Sequence, residues 1–171
     1  MAGETAFWTP PVRPEWLQKF NAEGEHMNIR KLVPLDADEL IATAQRSTGF
    51  SNFGGDEWHE PFKVLLRAID EEAELHFFGR LMTRSDILIW LQALLGVQAA
   101  FDEHPEIADE VIDQPVFIAG LSRSGTSILF ELMAQDPQFR SPAHWEMMFP
   151  YPPPTMERRH DDPRIARCQH L

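Results

Sequence analysis

Apolar and polar residues change their rhythm twice along the chain. Residues 1–34 hold prolines and aromatics with no clear period, which predicts an N-terminal arm anchored through Trp8, Trp16 and Phe20. From Leu35 the spacing turns helical. Asp36 or Asp38 caps a short helix that buries Leu40, Ile41 and Ala44 and stops before Ser47-Thr48-Gly49. A loop follows over 50–56. Phe62, Val64, Leu65, Leu66 and Ile69 then recur at helical spacing, and the pattern continues through Leu75, Phe78, Leu81 and Met82. A further helix is expected over about 85–101, apolar around much of its circumference and ended by His104-Pro105.

The region after 113 differs in kind. Pro115-Val116-Phe117-Ile118-Ala119 is a short continuous apolar run of the sort found in buried parallel strands. A glycine loop comes next, and then Ile128, Leu129, Leu132 and Met133 mark one face of a helix closed by Asp136-Pro137. Strand, glycine-rich loop and helix in this order predict an α/β fold: a P-loop type parallel sheet with a helical N-terminal region. The expected division is an arm over 1–34, a helical region over 35–113, and from 114 to 171 the start of an α/β domain that is incomplete at its C-terminal end.

The loop, Gly120-Leu121-Ser122-Arg123-Ser124-Gly125-Thr126-Ser127, is where chemistry concentrates. Glycines allow left-handed backbone and close approach, successive amides turn toward one point, and the following helix adds the positive end of its dipole. Hydroxyls at Thr126 and Ser127 can donate to phosphate oxygens. The spacing matches the phosphate loop of nucleotide triphosphatases, but Thr126 stands where that motif requires lysine. The cation lies instead inside the loop, at Arg123, suited to a departing phosphate and its bridging oxygen. A nucleotide kinase-like reading is therefore disfavoured.

Charge sharpens this picture. The 171 residues carry 27 Asp and Glu against 15 Lys and Arg, a formal charge of −12. Nucleic acid is a poor partner for such a surface, and any bound anion depends on local amides and placed arginines. With a hydrophobic fraction of 43% the chain is expected to fold. The single Cys168 excludes an internal disulfide and, with no signal-like N-terminus and no apolar run long enough to span a bilayer, suggests a cytoplasmic protein. The spacing of His160-Asp161-Asp162 and His170 fits no compact metal site, and none is expected.

The stretch from Pro115 to Ser127 resembles the 5′-phosphosulfate loop of sulfotransferases that use 3′-phosphoadenosine-5′-phosphosulfate (PAPS). Its continuation, Leu132 to Pro137, Arg140 to Glu146 and Tyr151 to Pro154, resembles a bacterial-type branch of that family, in its N-terminal portion only. The resemblance implies transfer of a sulfuryl group from PAPS, without a metal, to a hydroxyl or amine on a small-molecule, lipid or carbohydrate acceptor. Residues Ser122, Arg123, Ser124, Gly125, Thr126 and Ser127 would hold the donor, Arg123 would stabilise the leaving group, and Glu146, with His144 as rival, would take the acceptor proton. Ser122 departs from the proline common in the family and is expected to loosen the loop slightly. The bland alternatives are a non-catalytic helical fragment or pseudoenzyme, and, for Glu146 and His144, helix capping or pairing with an arginine such as Arg140.

Overall fold

The computed structural model describes residues 11–170. Eight α-helices run α1 Glu15–Glu25, α2 Ile29–Leu32, α3 Ala37–Thr48, α4 His59–Glu71, α5 Phe77–Glu103, α6 Thr126–Met133, α7 His144–Met148 and α8 Pro163–Gln169, with 3-10 turns at Pro105–Asp109 and Met156–Arg158. The chain divides into two compact units, 11–44 with 55–88 and 45–54 with 89–170 among the described residues, so α3 and α5 each contribute to both.

In the first unit, Glu39 N–H donates to Asp36 Oδ1 at 2.9 Å, which starts α3 as the acidic residues ahead of it predict. Leu40, Ala44, Leu66 and Ile87 are buried here, with Val33 and Leu35 from the segment before α3. The proline-rich arm is in fact largely helical from Glu15. Phe20 stacks on Phe77 with ring centroids 4.8 Å apart, and Trp16 meets Phe78 edge-on at 5.5 Å. Trp8 lies outside the described residues. A Cβ on Gly24 would come within 2.5 Å of Phe77 Cβ, so the close approach of α1 to this aromatic pair needs glycine.

Two arginines one turn apart on α5 tie this unit together. Arg80, 3% exposed, donates to Val33 C=O at 2.6 Å and pairs with Asp70 of α4 at 2.5 Å. Arg84 grips Glu39 through both guanidinium nitrogens at 2.7 and 2.8 Å and donates to Pro34 C=O. Periodicity alone does not announce this polar clamp, and α5 begins at Phe77 and runs unbroken for 27 residues where the pattern suggests a separate helix from about 85.

In the second unit, Ile89, Leu91, Leu95, Ala99 and Ala100 of α5 are buried, as are Trp145 and Phe149. The expected parallel sheet is absent: no residue among those described is in a β-strand. Residues 114–119 are not helical and form no backbone hydrogen bond among the described residues. Phe117 and Val116 remain 86% and 55% exposed. The physical reason is that a strand exists only as one rung of a ladder, and an apolar run without a neighbouring strand has neither hydrogen-bond partners nor a face to bury. The helical half of the motif forms as predicted, with α6 over Thr126–Met133.

Arg80→Ala should lower unfolding free energy by about 3 kcal/mol, because it leaves the partly buried Asp70 carboxylate with only the more distant Arg30 at 3.8 Å and the Val33 carbonyl without its donor; urea denaturation followed by circular dichroism measures this.

Candidate functional site

The loop between 119 and 126 owes its shape to three backbone positions. Gly125 precedes α6 with φ 92° and ψ 13°, a left-handed conformation that side-chain-bearing residues resist. Arg123 also adopts positive φ, at 63°, at a cost of about 1 kcal/mol for a residue with a Cβ. Such stored strain concentrates at functional sites. Ser124 N–H donates to Leu121 C=O at 3.1 Å, closing a turn. Across that turn, a Cβ on Gly120 would sit 2.5 Å from Ser124 Oγ and 2.9 Å from Thr126 Cγ2, so only glycine allows the loop to fold back on itself.

The first backbone hydrogen bond of α6 runs from Leu129 N–H to Gly125 C=O at 3.0 Å, and no described side chain caps the helix. The amides of Thr126, Ser127 and Ile128 therefore precede the helical ladder, at the positive end of the dipole. Ser122, Arg123, Ser124 and Ser127 are exposed and Thr126 is half-buried. Among the described residues, the Arg123 side chain has neither a hydrogen-bond acceptor nor a carboxylate partner. Amides, hydroxyls and an uncommitted guanidinium within eight consecutive residues form an anion cradle. Each hydrogen bond to a charged ligand there is worth about 1.5–3 kcal/mol.

Glu146 and His144 lie on α7. Glu146 is buried, and both its carboxylate oxygens are engaged: Oε1 accepts from Arg140 Nη2 at 3.0 Å and Oε2 from Ala143 N–H at 2.6 Å. The second contact is half of a capping box, since Ala143 has no side-chain oxygen to return it. His144 is exposed, with Nδ1 3.4 Å from Cys168 Sγ. Neither residue forms a hydrogen bond with the loop among the described residues. The structure thus gathers the six loop residues and keeps the two proton-acceptor candidates on a separate helix.

Sequence reasoning missed the cluster that fixes α7 in place. Arg164 donates Nε and Nη2 to Asp162 at 2.8 and 2.7 Å, and Nη1 to the carbonyls of Phe149 and Pro152 at 2.8 and 2.6 Å, while its guanidinium lies 4.8 Å from the centre of the Trp145 ring. Asp162 also accepts from Arg164 N–H at 2.9 Å, capping α8 ahead of Pro163. Asp-Pro at a helix start is the signal that could have found it. The bonds from Arg164, the side-chain pair foremost, hold the Asp162 carboxyl at about 2, below its ordinary 3.8. Among the described residues, no three His, Cys, Asp or Glu side chains gather as a metal site, and no helix is long and apolar enough to cross a membrane.

Loop, helix and the segment that follows them define a class. Residues 115–170 match the sulfotransferase family model. Two solved structures are similar. The sulfotransferase STF1 of Mycobacterium tuberculosis H37Rv is 34% identical over 78% of this chain, with a TM-score of 0.69. The sulfotransferase STF9 of Mycobacterium avium is 30% identical over 79%, with a TM-score of 0.71. The matches cover 37% and 34% of those two chains, so this chain spans about a third of each. No curated protein matches it.

Because the Asp162 carboxyl is more acidic in the folded chain, its contribution to stability is complete above about pH 4 and disappears as pH falls toward 2. The thermal midpoint of the wild-type chain should drop more steeply across that window than that of Asp162→Asn, which starts lower and has no carboxyl left to protonate.

Proposed function

We propose that the protein transfers a sulfuryl group from PAPS to a hydroxyl or amine of a small-molecule, lipid or carbohydrate acceptor. The observation that carries this reading is the cradle itself: an uncapped helix start, glycines at 120 and 125 and an unpaired Arg123 inside the loop, all within the segment matched to the family. When bound, PAPS supplies the sulfuryl group as its S–O bond to the 5′-phosphate breaks and a bond from sulfur to the acceptor forms. The amides of Thr126 and Ser127 and the hydroxyls of Ser122, Ser124, Thr126 and Ser127 hold the phosphosulfate. Arg123 neutralises the charge that develops on the departing phosphate, a role whose loss costs about 3–4 kcal/mol of barrier in comparable oxyanion sites. Positioning and electrostatics supply most of such a catalysis.

The acceptor proton goes to a residue of α7. Glu146 is the carboxylate expected there, but its oxygens are committed to Arg140 and the Ala143 amide. His144 is exposed and keeps Nε2 without a partner among the described residues. We therefore assign the proton to His144 and the orientation of α7 to Glu146. A reading in which the loop binds nucleotide without turnover is favoured by one observation, the unpaired segment at 114–119.

Calorimetric titration with 3′,5′-diphosphoadenosine and with ATP tests the donor assignment. Selective binding of the diphosphoadenosine, weakened about tenfold or more in Arg123→Ala and lost in Gly125→Asp, is expected; tighter binding of ATP would sink the reading. If transfer from PAPS is then followed, His144→Gln should lower the rate about 10²-fold or more, whereas Glu146→Gln should lower thermal stability and affect the rate less. Absence of transfer in the wild-type chain with binding intact would select the non-catalytic reading.

A further inference from the structure

A cleft of about 420 Å³ lies within the second unit, separate from the phosphosulfate loop, none of whose residues line it. Its volume falls in the range of small-molecule sites. The walls include Phe50, Ile89, Gln92, Phe149 and Tyr151, with Arg167 among the lining residues. Phe50 and Tyr151 meet edge-on with centroids 5.2 Å apart. Gly96 of α5 lets them close in: a Cβ there would lie 2.5 Å from Tyr151 Cβ. Gln92 is held by a 2.9 Å bond from its Nε2 to Ser47 Oγ.

Charge makes the cleft unusual. In a chain with 27 acidic residues, no carboxylate lines it, while two arginines do. Arg164 is committed to Asp162 and two carbonyls, as described above. Arg167 is different: its guanidinium lies 4.1 Å from the centre of the Phe149 ring and has no hydrogen-bond acceptor or ion-pair partner among the described residues. A flat cation stacked on an aromatic wall keeps its edge donors available for a bidentate anion. Apolar walls offer a ring somewhere to lie, and the guanidinium offers its anionic substituent a fixed partner.

We propose that this cleft binds a small planar organic anion of the aromatic carboxylate class, with the ring against the wall of Phe50, Tyr151 and Ile89 and the carboxylate on Arg167. The site is independent of the sulfotransferase reading. The test is titration of the 171-residue chain with 2-naphthoate and with its neutral isostere 2-naphthamide, followed by ligand fluorescence. Saturable binding of the naphthoate is expected, about tenfold tighter than the amide. Arg167→Gln should remove that preference while the weaker amide binding persists. Ala93→Trp, which fills the cleft, should abolish both, and Arg123→Ala should change neither, with unfolding midpoints showing that each variant is folded. No saturable naphthoate binding, equal affinity for acid and amide, or naphthoate affinity unchanged in Arg167→Gln would each overturn the proposal. Weakened diphosphoadenosine binding in Arg123→Ala with naphthoate binding intact keeps the fate of this site distinct from that of the loop.

Discussion

In the unit that carries the loop, most of what lies beyond residue 140 depends on the guanidinium of Arg164. One side chain satisfies two carbonyls at 149 and 152, neutralises Asp162 at the start of α8 and covers the Trp145 ring of α7. Helices of five and seven residues have little intrinsic stability, because nucleation costs more than so few backbone bonds return. They persist here because a rigid fork with several fixed donors joins them at one point. Glu146 does the same on a smaller scale for the first turn of α7, through Arg140 and the Ala143 amide. The side chains that aim His144 and those that wall the cleft at Phe149 and Tyr151 thus share one electrostatic origin.

The loop rests on a different constraint, steric in kind. Gly120 and Gly125 are needed for unlike reasons, the first to avoid Ser124 and Thr126, the second to hold a left-handed turn into α6. Between them Arg123 occupies strained backbone and finds no partner in the described chain. Anionic ligands must approach a protein with a formal charge of −12, so the long-range field opposes capture and the short-range donors of the loop determine it.

How much of this was legible in the sequence follows from the range of each interaction. Local features read correctly: the Asp36 cap, the start of α6 after Gly125, the loop and the close of α6 near Asp136. Features that depend on distant partners did not. The run from 115 to 119 has the composition of a buried strand, but the pattern specifies a face and says nothing of the neighbour that must cover it. The Arg80 and Arg84 clamp and the Arg164 hub are equally invisible to periodicity, since a charged residue on an apolar helix reads as solvated until its acceptors are known. For the loop, residue type and spacing were enough to place the turn and the start of α6. For α7 the structure bears out the bland alternative for Glu146, whose two oxygens go to Arg140 and to the Ala143 amide at the helix start.

The unpaired segment before the loop has a chemical consequence of its own. Residues 111–119 pair with nothing along the backbone among the described residues, and Val111, Ile112 and Phe117 are each at least 80% exposed. A protease needs accessible backbone free of pairing, which this stretch offers without prior unfolding. Limited digestion would therefore enter the chain just ahead of the cradle, releasing the anion-binding loop and its helix from the long helix α5 before either unit melts.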